Sequence, residues 1–188
     1  DQDFRFDDIY NFMCYEDWLR RAYRSVESNS GSRTAGIDRQ TMEDFEEDLE
    51  ENLKDLQRSL KSQSFDPKPV RRTYIPKGDG EERPLGIPTV KDRIVQEALR
   101  MVLEPIYETD FSDYSLGFRP NRSTHDAIKA VRTNLGYATK GKPWVLDLDI
   151  KGYFENVDHG TLGKILQNRI TDRKVLKLIW SFLKAGVM

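Results

Sequence analysis

Apolar residues recur at steps of three and four over several stretches of the chain and at steps of two over one. Ile9, Phe12, Met13, Leu19, Ala22, Tyr23 and Val26 predict a helix over residues 8–27. Residues 29–36, rich in Gly and Ser, read as a loop. Met42, Phe45, Leu49, Leu53, Leu56 and Leu60 give the clearest helical run, and Thr41 with Asp44 forms a capping-box pattern at its start. Beyond Pro67 and Pro69 the period changes. Val70, Arg72 and Tyr74 fall on one side and Arg71, Thr73 and Ile75 on the other, which predicts a strand. Gly78-Asp79-Gly80 makes a turn, and Pro84–Pro88 a short return strand. A helix from Thr89 to about Ile106 buries Ile94, Ala98, Met101 and Val102. Residues 112–121 read as loop, and Ser123 or Thr124 caps a helix running to about Leu135. Trp144–Ile150 predicts a buried strand, and His159–Arg169 and Arg173–Ala185 two further helices. Helices mixed with a hairpin and one buried strand place the chain in the α+β class.

Charge changes this picture more than composition does. The net charge is −2 over 188 residues, which by itself speaks against a polyanionic partner. The distribution speaks for one. Asp38–Asp55 holds nine acids and two bases, Arg119–Lys142 six bases and one acid, and Lys68–Arg93 seven bases and four acids. The acidic run has a structural explanation, as the outer face of the helix after Thr41. The basic runs are either solvated faces or a nucleic-acid surface. A single cysteine, Cys14, excludes an internal disulfide framework and a cysteine zinc site. No apolar run is long enough for a membrane span, and the acidic start is unlike a signal peptide. The expectation is a soluble cytoplasmic chain, without a membrane partner. As it does not begin with Met, it reads as a fragment or a processed product.

Two segments carry candidate chemistry. In Trp144–Ile150, strand alternation puts Asp147 and Asp149 on one side and Leu146, Leu148 and Ile150 on the other. Two carboxylates on an apolar strand need a cationic partner. Either a structural arginine or helix cap serves, or a magnesium ion, which takes oxygen ligands from one or two carboxylates and from substrate phosphates. The second segment is the hairpin, with Lys77 entering its glycine-rich tip and Arg83 leaving it. Such an arm is either an ordinary soluble surface or a clamp that holds and neutralises a triphosphate.

The residues resemble those of group II intron-encoded reverse transcriptases (maturases). Asp149-Ile-Lys-Gly-Tyr-Phe154, followed by Asn156 and Asp158-His159, looks like the motif that carries the first catalytic aspartate. Tyr74-Ile-Pro-Lys77 with Arg83-Pro-Leu-Gly-Ile-Pro-Thr-Val-Lys-Asp-Arg93 looks like the fingers motif, and Gly117-Phe-Arg-Pro-Asn-Arg122-Ser like a template-side motif. Thr34-Ala-Gly-Ile-Asp38 resembles the extra N-terminal motif of these enzymes, although Arg39 stands where glycine is common. The resemblance implies the fingers of a right-handed polymerase, with an N-terminal helical extension (1–66), fingers carrying the basic hairpin (67–142) and the first part of the palm sheet with flanking helices (143–188). It implies Asp149 as catalytic, with the Ile150 carbonyl as a second metal ligand. Gly152 and Tyr153 face the triphosphate by backbone, and Phe154 is the steric gate against a 2′-hydroxyl. Lys77, Arg83 and Arg71 contact the incoming nucleotide. Leu85, Gly86, Ile87 and Pro88 pack against the template base, and Arg119 and Arg122 lie near the template strand, an arginine buried against Asp or Glu being the alternative.

The implied activity is RNA-directed DNA synthesis together with intron RNA binding for splicing. Two Mg²⁺ ions are the implied cofactor, their site only partly supplied by these residues. An intron RNA template, a DNA or RNA primer and dNTPs are the partners, in a bacterial cytoplasm with nucleoid association in use. Apolar residues near Phe182–Met188 leave a homodimer open. The family's Tyr-Ala-Asp-Asp and Pro-Gln-Gly motifs do not occur, so the 188 residues alone are expected to be inactive. The alternatives are an RNA-binding maturase module without polymerase activity, or a reverse transcriptase of a retron, CRISPR or diversity-generating element.

Overall fold

The computed structural model describes residues 4–76, 78, 80–137 and 144–188. The chain divides into two compact units, one comprising the residues up to Glu104 together with His159–Met188, the other Pro105–Asp158. Lys77, one of the expected nucleotide contacts, lies outside the described residues.

In the larger unit, each of the first two expected helices is broken once. Residues 8–27 form α1 (Tyr10–Met13) and α2 (Glu16–Glu27), and the run after Thr41 forms α3 (Met42–Glu47) and α4 (Leu49–Lys61). A break strands backbone carbonyls, which need new donors. Two amides of α4 supply them. Gln57 Nε2 donates to the Cys14 carbonyl at 2.8 Å, and Asn52 Nδ2 to the Phe45 carbonyl at 3.0 Å. The capping box at α3 is present, with Asp44 N–H donating to Thr41 Oγ1 and Thr41 N–H to Asp44 Oδ2. At its far end α4 closes with Gln63 at φ 55°, its N–H donating to the Leu60 carbonyl and that of Ser64 to Ser59, the Schellman arrangement.

Strands β1 (Arg71–Pro76) and β2 (Glu82–Ile87) form an antiparallel hairpin in which Arg72 faces Gly86 and Tyr74 faces Pro84. It leads into α5 (Val90–Glu108), capped by Thr89 and Asp92. The helices α7 (His159–Gln167) and α8 (Arg173–Lys184) complete this unit. Its core is Met13, Leu19, Phe45, Leu53, Leu56, Leu60, Ile94, Val95, Ile170 and Val175, all fully buried. Asp172 ties the sequence ends together. One of its oxygens accepts from Ile9 N–H and Tyr10 N–H at 3.0 and 2.8 Å, the other from Lys174 N–H and Val175 N–H, so one buried carboxylate caps both α1 and α8.

The smaller unit begins at Pro105, whose ring removes the in-helix bond to the Met101 carbonyl. It holds α6 (Thr124–Tyr137) and a 3-10 turn, Phe154–Asn156. The expected buried strand at Trp144–Ile150 is not formed. Among the described residues this segment pairs with no strand, and Trp144, Leu146, Leu148 and Ile150 are exposed. A strand with an apolar face is buried only when neighbouring strands satisfy its edges and another layer covers it. The described sheet consists of β1 and β2, and it pairs elsewhere. Among the described residues no helix is long and apolar enough to cross a membrane.

Candidate functional site

The expected site residues fall in both units, and each group is built within its own. In the larger unit the hairpin is exposed along nearly its whole length, so its polar and charged side chains are free to meet a ligand. Arg83 lies at the tip end of β2, exposed and facing Ile75 across the ladder. Arg71 sits at the base and is already engaged, its Nε and one terminal nitrogen donating to the Ala35 carbonyl at 3.1 and 2.8 Å. Leu85 is exposed, while Ile87 and Pro88 are half-buried at the junction with α5. Gly86 has a reason of its own in the fold: a Cβ there would lie 2.7 Å from Cγ2 of Val70.

The root of the hairpin is rigid, and sequence reasoning missed why. Thr89 Oγ1 donates to Asp92 Oδ2 at 2.7 Å, and Asp92 N–H returns a bond to Thr89 Oγ1. Lys68 N–H donates to the same carboxylate oxygen, on the approach to β1. Burial pushes the Asp92 carboxyl above its ordinary range, against these hydrogen bonds. The Thr-x-x-Asp spacing was a readable signal for this cap. Gly36 abuts the same junction, where a Cβ would lie 2.7 Å from both N and Cα of Thr89. Arg93 donates to the carbonyls of Gly31, Ser32 and Thr34 at 3.2, 3.0 and 2.6 Å. The Thr34–Asp38 loop is thus fixed to the start of α5 and the base of β1 by two guanidinium groups and one close backbone approach. Arg39, where glycine is common in the resembling motif, adopts φ 62°, a conformation that glycine takes without strain.

In the smaller unit Arg119 follows the alternative reading. Its side chain is 7% exposed and pairs with Glu108 at 2.7 Å. A terminal nitrogen also donates to the Ser112 and Ser115 carbonyls, and the guanidinium lies over the Phe111 ring. The pair holds the Glu108 carboxyl below its ordinary value. A guanidinium so committed shapes the 108–119 loop and has little left to offer a phosphate, which corrects the expectation of a template contact. Arg122 differs. Its bond to Asp113 is 3.3 Å long, and Asp113 is 93% exposed, so a ligand phosphate can displace it. Ser123 and Asp126 form the capping box of α6.

Asp147 and Asp149 are exposed and, among the described residues, in no ion pair or hydrogen bond. Gly152 has φ +60°, and its carbonyl accepts from Asn156 Nδ2 at 2.7 Å, which closes the turn after Asp149. Tyr153 and Phe154 meet edge to face at 5.3 Å. Phe154 is 82% exposed, so within its unit it is not a core residue. The donor set suits a hard cation in kind, an unpaired carboxylate beside the Ile150 carbonyl. It does not complete a site: among the described residues no three His, Cys, Asp or Glu side chains are grouped to hold a metal.

Residues 75–188 match the family described as Reverse transcriptase (RNA-dependent DNA polymerase). The chain is 43% identical over 181 residues, 96% of its length, to Group II intron-encoded protein LtrA of Lactococcus lactis subsp. cremoris, of which it covers 29%. It is 40% identical over 188 residues to Protein YkfC of Escherichia coli (strain K12), covering 49% of that protein. Nuclear intron maturase 1, mitochondrial, of Arabidopsis thaliana is 41% identical over 97 residues, 52% of this chain and 13% of the relative. The chain therefore spans half or less of the length of these relatives.

Proposed function

This chain belongs to the reverse transcriptase (RNA-dependent DNA polymerase) family, among its group II intron-encoded members, and we propose that it supplies the nucleotide- and template-binding part of such a polymerase. In this reading residues 1–66 are the N-terminal extension, 67–142 the fingers and 143–188 the start of the palm. The observation that carries it is the exposed basic hairpin on a buried, hydrogen-bonded root. Phosphoryl transfer needs little covalent help from the protein but much positioning and charge neutralisation. An arm with a fixed base and a free basic end meets that need. Arg83, with Lys77, grips the triphosphate, and Arg71 joins them only by leaving the Ala35 carbonyl.

Asp149 and the Ile150 carbonyl would hold Mg²⁺, which when bound polarises the reacting phosphate oxygens. The remaining ligands come from outside these 188 residues. The backbone at Gly152 and Tyr153 faces the triphosphate, and the exposed Phe154 ring lies beneath the sugar and excludes a 2′-hydroxyl. Leu85–Pro88 pack on the templating base. Arg122 contacts the template backbone, and Arg119 holds the loop that carries it. Intron RNA is the natural template and the ligand for a splicing role, while the primer, the dNTPs, cytoplasmic and nucleoid location and any homodimer belong to the same proposal.

In the longer protein Arg83→Ala is expected to raise KM for dNTP by about ten- to a hundredfold, with RNA affinity unchanged, the loss typical of one charge-assisted contact. Equal KM in wild type and variant overturns the assignment. The 188 residues alone are expected to give no Mg²⁺-dependent primer extension, and detectable synthesis by them contradicts the proposal.

A further inference from the structure

The outer edge of β1 is occupied over its first residues by the segment Gly186–Met188. Val70 N–H donates to the Gly186 carbonyl at 3.1 Å, Met188 N–H to the Val70 carbonyl at 2.9 Å, and Arg72 N–H to the Met188 carbonyl at 2.9 Å. Val70 and Val187 form a parallel bridge. Backbone groups alternate sides along a strand, so Val70, Arg72 and Tyr74 present theirs to this outer edge, while Arg71, Thr73 and Ile75 present theirs to β2. Proline placement agrees. Pro84, which lacks an N–H, faces Tyr74, where no bond to β2 is made. Among the described residues nothing accepts from Tyr74 N–H. The ladder is therefore begun but not finished.

We propose that the outer edge of β1 is the docking edge for the residues that follow Met188, which continue the parallel ladder and turn the hairpin into a three-stranded sheet. The register follows from the bonds already made. The second residue after Met188 donates its N–H to the Arg72 carbonyl and accepts from Tyr74 N–H. The fourth donates to the Tyr74 carbonyl. There the ladder stops, because the next outward position is Pro76, which has no donor. The occupant is argued from continuity: three consecutive bonds already run in one register, and relatives of this chain extend well past the matched region. A lone two-stranded hairpin is marginal in water, and this one is exposed on both faces. A third strand explains how its base holds firm while residues beyond Pro76 remain unpaired on that edge. The inference rests on the fold and on the greater length of the relatives, not on polymerase activity.

The test is amide hydrogen exchange, read residue by residue, on the longer protein. Tyr74 N–H is expected to exchange about 100-fold or more slowly than an unprotected amide, as Arg72 N–H does, which is the protection of a stable ladder bond. Met188→Pro removes the donor to Val70 and is expected to return Tyr74 to fast exchange, while core amides such as Leu53 and Val95 stay protected and report that the unit is folded. Fast exchange at Tyr74 in the wild type overturns the proposal. So does a Tyr74 amide that stays protected in a folded Met188→Pro protein, since another segment then covers the edge. Primer extension plays no part in this readout, so a failed polymerase assignment and a failed strand assignment are told apart.

Discussion

Arg39 and Gln63 hold left-handed backbone at φ 62° and 55° with full side chains, a conformation that costs an L-residue about 1–2 kcal/mol relative to glycine. Replacing either by glycine relieves this strain, offset partly by the larger unfolded-state entropy of glycine. Arg39→Gly and Gln63→Gly are each expected to raise unfolding stability by about 0.5–1 kcal/mol, seen as a higher denaturation midpoint at unchanged slope. Asp172 is the opposite case. Asp172→Ala leaves four amide donors without their acceptor at two helix starts and is expected to cost about 3 kcal/mol, measured by the same denaturation. Asp92 carries a pH signature. Its folded pKa is raised by burial, so its contribution to stability is fully present below the unfolded value of about 3.9 and is lost as pH rises through the folded value. Denaturation of wild type and Asp92→Asn from pH 3.5 to 7 is expected to shift the stability difference in favour of the Asn protein as pH rises. Little of this was legible in the sequence. The capping boxes at Thr41 and Ser123 were, because a cap is local, and the one at Thr89 could have been. Asp172 was not, because its partners Ile9 and Tyr10 are more than 160 residues away.

At the scale of elements, periodicity gave the helices and the hairpin but not their interruptions. The steps from Met42 to Leu60 are continuous across Asp48, yet the backbone there is at φ −122°, ψ 44°. The break persists because Asn52 and Gln57 accommodate freed carbonyls, an arrangement that no single segment displays. The Thr34–Asp38 loop is an element in its own right, since Arg71, Arg93 and Gly36 make it the buttress of the hairpin. Gly36→Ala forces a methyl group against the Thr89 backbone and is expected to destabilise the unit by about 1–3 kcal/mol. Limited proteolysis should then show faster cleavage within residues 29–35. Unchanged proteolysis and stability would mean that the loop yields freely and does not brace the arm.

For the whole molecule, the least legible part was the segment from Trp144 to Ile150. Its composition is that of a buried strand, and it is exposed here because burial is a property of the sheet around it, not of its own residues. Arg119 errs in the other direction, as a basic residue in a basic run that the fold spends on Glu108. Site chemistry was readable where it depends on residue type and local order, as at Asp149, Gly152 and Arg83, and unreadable where it depends on what else is nearby. The central claim is that Asp149, rather than its neighbour two residues earlier, is the metal-holding carboxylate of an RNA-directed DNA polymerase. Primer extension on an RNA template, with the longer protein carrying Asp149→Ala or Asp147→Ala, tests it most directly. The account predicts that Asp149→Ala loses about 10³-fold or more in rate, as expected when transition-state charge is left unbalanced, while Asp147→Ala keeps most of its activity. Full activity in Asp149→Ala, or an equal loss in both, would contradict it.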